Sequence, residues 1–546
     1  MFSVLLFDSH STFFKANWEN QTHNPHNCEG CTMAASTITK VTVFLSCEGV
    51  PAPSSHKKLC VSLQELNGGG QVIANTTTLP NDMEIQGSSK IVFHTPLSVE
   101  YFFETRQFMR VLVHEQGQQD HPLSHATFQM SHVMTSRDLI KIVSLSYPAG
   151  ATMTITAVDH SLTREDLCSL KFRAEGFEEG CFSAPSPFFV LFRVLNTGQR
   201  VPLHKSDVSK STCDPTWVGM PSIRLAEMIG RDLNEKTLDF RCYDKGMFGD
   251  SDLGHVMLSL NDLISASGQV PRVKFPLKTG NTIITGHLSV ESCVIQHAMT
   301  FVNLLSSGWQ VNMVAAVDFT ASNGDPRDHR SLHHMNTETP NEYIQTIRSV
   351  GDIVMEYDSD KMVAGFGFGA ELPDKRTSHF FHLNMQPDPY VHQIDGLIAA
   401  YIHALSIVKL SGPTYFAPTI RNVLNGVRQA EKDHVYTILV MMTDGDICDM
   451  DDTIDTLVEA DDAALSVIIV GVGKECDFRA MVQLDADDST LTSRKGRKSR
   501  RDLVQFVPMR EWAHLPPHRF AVEVLREVPT QVERWAAITG ITAAAV

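Results

Sequence analysis

Between about residues 37 and 295, apolar side chains alternate with polar ones. Val41, Val43 and Leu45 take every second place, as do Met109, Val111 and Val113, and later Leu238, Phe240 and Cys242. A period of two turns one face of a strand to a core and the other to water. Turn-rich stretches such as LNGGGQ and VLNTGQR separate these runs. The pattern predicts two antiparallel β-sandwiches, over 37–163 and 164–295. From 296 the rhythm changes. Short, mostly apolar runs (VNMVAAV, MVAGFGF, YTILVMM, LSVIIVGV, LVQFV) alternate with segments of helical spacing, such as Ile394, Leu397, Ile398, Ile402 and Leu405. Strands buried on both faces and interleaved with helices predict an α/β domain over 296–546, doubly wound around a mainly parallel sheet. Residues 1–36, rich in Asn, His, Ser and Thr without a period, read as a disordered extension in which Met33 is a candidate natural start.

Composition narrows the function classes. The 546 residues suit about three or four domains, and 42% hydrophobic residues give each a core. No apolar run approaches the length that spans a bilayer, so membrane contact would be peripheral. Eleven scattered cysteines, an odd number, argue for reduced thiols in a cytoplasmic protein. The Cys28–Cys31 pair has His26 nearby but no second pair at zinc spacing, and reads as chance. A net charge of −17 argues against nucleic acid as a partner. It also means that anionic phospholipid would be approached only through a cation or a local basic patch.

The sharpest chemistry lies where VAAVDFTASNGDP leaves an apolar run. Asp318, Thr320 and Ser322 form D-x-T-x-S, and alternate residues leaving a strand end can aim at one point. Thr414 follows the turn signal Gly412-Pro413, and Asp444 ends the apolar run YTILVMMTDG. Two carboxylates and three hydroxyls are hard oxygens suited to Mg2+ or Mn2+, with a position left for an acidic group of a partner. In an open α/β sheet, ligands sit beyond the carboxyl ends of the strands, where Asp318 and Asp444 fall. Taken singly, each Asp is also what a turn or a helix N-cap requires.

Other features have plainer readings. RKGRKSRR gathers Arg494, Lys495, Arg497, Lys498, Arg500 and Arg501 in a predicted loop. It reads either as a solvated loop balanced by Asp485, Asp487 and Asp488, or as a polybasic contact with anionic phospholipid. His329, His333 and His334 follow the first Asp and, with Asp318, Asp444 and Asp446, raise a metal-dependent phosphoesterase reading. Hydroxyl-rich ligation suits binding better than hydrolysis, so the histidines are expected to be solvated loop residues. DGDICDMDD lacks EF-hand spacing and reads as a helix start with Asp near the dipole. No phosphate-binding loop, nucleophile elbow or clustered zinc motif occurs, so no enzyme is expected.

The stretches VDFTASNGDP, YDSDKMVAGFGFGAELP, GPTYFAPTI, TDGDICDMDDT, LSVIIVGVG and RDLVQFVP resemble the von Willebrand A domain of copines. SAPSPFFVLFRV, KSDVSKSTCDPTW and RCYDKGMFGDSDLGH resemble the second of the tandem C2 domains of that family, and VEYFFETRQFMRVLVHE keeps the shape of the first. The resemblance implies a metal-ion-dependent adhesion site at Asp318, Thr320, Ser322, Thr414 and Asp444, and C2 domains that hold Ca2+ on about five Asp to bridge anionic phospholipid. The calcium loops depart from that pattern. EGVPAPSSHKKL has no Asp, and only Glu115 and Asp120 stand in the second loop of the first domain. In the second domain, Gly180, Ser186 and Gly246 stand at ligand positions, and Asp244 and Asp252 remain as a weak Ca2+ site. Asp446 is a further departure, beside the A-domain site. The expectation is a copine-like adaptor, cytoplasmic and peripheral on the plasma membrane or endomembranes, with weakened or lost calcium dependence. Its A domain would capture acidic groups of intracellular proteins. A fully calcium-dependent phospholipid-binding protein of signalling or trafficking is the alternative, and a phosphoesterase the second.

Overall fold

The computed structural model describes residues 39–541 except 52–58, 79–82, 87–89, 160–165, 180–182, 196, 230–233, 247–248, 281, 337–338, 446, 475 and 486–489. The expected extension 1–36 with Cys28, Cys31 and Met33, as well as Gly180, Asp446, Asp487 and Asp488, lies outside the described residues. Contacts divide the chain into two units, Met1–His160 with Phe301–Ile538, and Ser161–Thr300 with Thr539–Val546.

In the first unit, one sheet runs Met83–Gln86, Lys90–Tyr101, Thr39–Glu48, Thr152–Asp159, Ile140–Ser144. A second runs Val72–Thr77, Leu59–Leu66, Phe108–Glu115, Ser124–Gln129, and all pairings are antiparallel. The alternation sets the faces. Val41, Val43 and Leu45 are buried with Phe93 and Ile155, and Met109, Val111 and Val113 with Val61 and Leu63. Burying each such side chain contributes about 1.5–3 kcal/mol.

The same unit holds a mainly parallel sheet. Five strands lie in the order Met362–Phe368, Gln310–Asp318, Val435–Thr443, Leu465–Gly471, Val504–Pro508, each parallel to its neighbours. By chain position that order is 2-1-3-4-5. The chain therefore leaves the first strand in opposite directions along the sheet, an order that in such sheets places the ligand crevice between the ends of strands one and three. Asp318 ends the first of these strands, and Asp444 directly follows the other. Helix Glu342–Val354 packs on Gln310–Asp318, on Gln393–Ile407 and on Pro517–Leu525, while Ala417–Ala430 packs on Met450–Glu459 and on Val435–Thr443. Within Gln393–Ile407 the expected face is corrected at one position: Ile402 is 45% exposed, and Tyr401 is fully buried in its place.

The second unit is one path of eight strands, Arg200–Lys205, Pro187–Val194, Leu238–Asp244, Ser251–Leu258, Phe275–Thr279, Thr282–Gln296, Leu167–Glu175, Ile223–Arg224. Among the described residues, Ser251–Leu258 and Phe275–Thr279 are in register only at His255 and Lys278, so the path folds there into two layers. Phe172, Phe189, Trp217 and Phe240 fill the space between, with Phe189 and Phe240 stacked at 4.7 Å. Trp217 Nε1 donates to the Pro187 carbonyl at 3.3 Å, satisfying the one polar atom of that ring. All cysteines among the described residues are free thiols.

Candidate metal centre

Asp318 is the last residue of its strand and is fully buried. The backbone then turns, and Thr320 doubles back on the carboxylate. Its amide and its hydroxyl donate to Asp318 Oδ1 at 2.8 and 2.6 Å. Ser322 Oγ lies 2.9 Å from Thr320 Oγ1, so the D-x-T-x-S residues converge as their spacing predicts. Thr443, on the neighbouring strand, donates to Asp318 Oδ2 at 2.7 Å. The turn has no room for a larger neighbour: a Cβ on Gly369, which holds φ +78°, would stand 2.3 Å from Thr320 Cγ2.

The loop bearing Thr414 is stitched to the first by backbone bonds. Ala321 N donates to the Ser411 carbonyl at 2.6 Å, and Ser411 N to that of Phe319 at 3.2 Å. On its other side Thr414 O accepts from Cys448 N at 2.9 Å, which ties it to the segment that begins at Asp444. Thr414 and Asp444 are both nearly buried, and Ser322 is exposed. Gly445 makes the turn after Asp444 at φ +128°, where a Cβ would meet the Asp477 carbonyl at 2.6 Å.

Electrostatics mark the same spot. Burial, and then the charge of Asp444, push Asp318 up to about 7, against the pull of the Thr320 and Thr443 bonds. Among the described residues no Lys or Arg pairs with Asp318. Nor do three His, Cys, Asp or Glu side chains among them gather closely enough anywhere to hold a metal. Asp318, Thr320 and Ser322 lie together with the Asp444 charge felt at Asp318, and carboxylates with hydroxyls are hard oxygens of the kind that fits Mg2+ or Mn2+. Beside Thr414 opens a cleft of about 520 Å³, lined by Tyr415, Pro418, Arg421, Asp449 and Asp451 among others. Asp449 ends the DGDICD segment just before helix Met450–Glu459. Its carboxylate accepts the Phe416 and Ala417 amides at 3.0 and 2.9 Å, so it caps the neighbouring helix Ala417–Ala430.

The expectation of three solvated histidines is corrected at one of them. His329 is exposed and His334 half-buried, with Nδ1 3.3 Å from the Pro326 carbonyl, but His333 is fully buried behind the Asp318 peptide. Its ring stacks between Phe319 and Tyr343, at 5.4 and 4.5 Å. Nε2 lies 2.9 Å from the Asp318 carbonyl and Nδ1 2.8 Å from the Tyr401 hydroxyl. Burial pulls its pKa down to about 4, partly opposed by the bond to Asp318, which keeps the imidazole neutral at physiological pH. Thr443 is therefore the residue of this region that motif spacing did not single out, while His333, noticed only as a hydrolytic or solvated histidine, has a different place. The only trace of Thr443 is its place one residue before Asp444.

The arginines of RKGRKSRR are committed to the domain itself. Arg494 pairs with Asp452 and Asp455, and Arg497 and Arg500 with Asp461, which is fully buried. Arg501 is buried and donates to the carbonyls of Asp461, Ala463 and Leu465. The balancing acids thus come from 452–462, whereas Asp485 accepts from Phe506 N. Lys495 and Lys498 have no ion pair among the described residues.

In the second sandwich Asp244 and Asp252 lie on paired strands, with Asp244 opposite Ser251 and Asp252 opposite Tyr243. Their oxygens are engaged locally: Asp244 accepts from Ser186 N at 2.6 Å and Asp252 from Gly254 N at 2.9 Å. Lys245 Nζ pairs with Asp250 at 2.9 Å, placing a cation where a calcium loop would need negative charge.

Known proteins match in two regions. A C2 domain model matches residues 165–277, and the copine model matches 331–544. Solved structures overlap parts of the chain. A chain described as BON1-C2B is 22% identical over 24% of this chain and 93% of its own, with a TM-score of 0.22. A calcium-bound pair of C2 domains from extended synaptotagmin 2 is 11% identical over 47% and 97%, at 0.19. Manganese-loaded TRAP protein of Plasmodium vivax is 13% identical over 38% and 73%, at 0.24. At such TM-scores the structural overlaps carry no weight, and the assignment rests on the two domain matches. A C2 domain at 165–277 and a copine domain at 331–544 are together consistent with a copine family member.

Proposed function

We propose that the chain is a peripheral membrane adaptor whose A-type domain captures an acidic group of a protein partner through Mg2+ or Mn2+. Asp318, Thr320, Ser322, Thr414 and Asp444 would hold the ion, directly or through water. Bound there, the cation supplies a positive charge that hydroxyl ligands leave largely unquenched, and a partner carboxylate completes its shell. The observation that supports this reading most is the buried Asp318 carboxylate. It is held by three hydrogen bonds, with Asp444 beside it and no protein cation paired to it among the described residues. The cleft next to Thr414 is where flanking residues of the partner would lie.

Membrane association would come from the C2 domains with weakened or lost calcium dependence, which the Lys245–Asp250 pair favours. Of the basic run, Lys495 and Lys498 are the side chains left for anionic lipid. No described helix is long and apolar enough to cross a membrane. The test is Mn2+ titration of the full chain followed by electron paramagnetic resonance, with partner capture compared in Mg2+ and EDTA. Asp318→Ala is expected to abolish both Mn2+ binding and metal-dependent capture. Capture that survives EDTA or this substitution would overturn the reading.

A further inference from the structure

We infer that His333 is a positioning residue for the metal centre: its imidazole holds the Asp318 peptide in the orientation that aims Asp318 and Thr320 at the cation. The inference rests on the metal-binding reading above and goes beyond it, since His333 would touch neither ion nor partner.

The hydrogen bonds fix the tautomer. The Asp318 carbonyl can only accept, so Nε2 must carry the proton and donate to it at 2.9 Å. Nδ1 is then an acceptor, and the Tyr401 hydroxyl donates to it at 2.8 Å. Tyr401 in turn accepts from Asn341 Nδ2 at 3.1 Å, so its own proton is free for His333. The other tautomer, with Nε2 bare, would leave the bond to the Asp318 carbonyl without a proton.

The location explains why such a bond is needed. Asp318, opposite Phe368, is the last residue of its strand in register with that neighbour, and the next amide, Phe319 N, donates to the Phe368 carbonyl at 2.8 Å. Asp318 is buried where the chain turns toward Thr320, and a buried carbonyl there needs a donor. His333 supplies that donor from a ring clamped between Phe319 and Tyr343. The clamp is itself anchored to the metal loop: Tyr343 OH donates to Asn323 Oδ1 at 2.6 Å, and Asn323 Nδ2 to the Thr320 carbonyl at 3.3 Å. Side chains of the helix Glu342–Val354 and of the helix Gln393–Ile407 thus brace the peptide that carries the first carboxylate.

The experiment measures Mn2+ affinity of the full chain for the wild type, His333→Phe and His333→Gln, with unfolding followed in EDTA. Phe keeps the stack and removes both hydrogen bonds, while Gln offers an amide donor and a carbonyl acceptor. His333→Phe is expected to lose about 10- to 100-fold in Mn2+ affinity, as other supporting partners of metal ligands do, with His333→Gln recovering most of it. Equal affinity in His333→Phe and wild type, or an equal loss in both variants, overturns the inference. The ring 15N shifts of His333 in the wild type give a readout that no unfolded variant can obscure. A protonated Nε2 is expected, and a bare Nε2 overturns it. If the wild type binds no Mn2+, the metal reading itself fails. If it binds in an Asp318-dependent way that His333 does not affect, only this inference fails.

Discussion

Thr443 and Asp318 are neighbours on adjacent parallel strands, and the threonine hydroxyl donates to Asp318 Oδ2 at 2.7 Å. The threonine is fully buried, so no water replaces that donor. Thr443→Val keeps the shape and leaves a carboxylate oxygen unsatisfied. A loss of about 1–3 kcal/mol in EDTA is expected, read from urea unfolding. Unchanged stability would show that Oδ2 finds another donor.

Asp461 ties two arginines of the basic run to the domain. It is fully buried, while Arg497 and Arg500 are about half exposed. Asp461→Asn should therefore cost less than breaking a wholly buried pair, about 2–3 kcal/mol by thermal or denaturant unfolding. Replacing Lys495 and Lys498 by Gln should leave stability within about 0.5 kcal/mol, because neither pairs with an acid among the described residues. A fall in vesicle binding in that double variant would assign lipid contact to the lysines. No fall would remove it.

Glu104 governs a pH dependence. It is 1% exposed, and neither carboxylate oxygen has a hydrogen-bond partner among the described residues. Burial pushes its pKa up to about 7 from 4.5. A carboxyl with a folded pKa above its unfolded one favours the folded state below about pH 4.5, and that contribution is lost as pH rises through 7. The difference amounts to about 3 kcal/mol at most. Glu104→Gln should flatten the stability profile between pH 4.5 and 7, measured by denaturant midpoints. An unaltered slope would rule out Glu104 as its source.

Calcium is expected to matter little. Among the described residues Lys245 sits on Asp250, and Asp244 and Asp252 are bonded to backbone amides, which argues against a tight site. Anionic vesicles should recruit the chain equally with chelator and at about 10–100 µM Ca2+, a range that saturates sensor sites. Stronger recruitment in Ca2+ would reverse this prediction.

What the sequence made legible follows from the range of each interaction. Strand faces such as Val41, Val43 and Leu45 could be read because burial there repeats with the backbone period. Asp318, Thr320 and Ser322 could be read because five consecutive residues hold them. His333 could not: its role depends on Tyr343 and Tyr401, which are remote in sequence and reach it only in the fold. The same contact explains the misplaced helix face, since Tyr401 turns inward to reach His333 and Ile402 turns out. A charge run likewise gives no sign of its partners. The arginines of 494–501 look free until Asp452, Asp455 and Asp461 are seen beside them.

The helix Glu342–Val354 runs straight on into Met355–Tyr357, and Tyr357 ends against the first sandwich. Its hydroxyl meets that of Tyr101 at 2.6 Å and donates to the Phe103 carbonyl, while the Phe103 ring lies 4.7 Å from that of Phe301. A fragment cut at Phe301 to isolate the copine-type half would strip the cover from Phe301 and Tyr357 at once. Sticky aromatic surface on such a fragment would be a product of the scissors and not a docking face of the intact molecule.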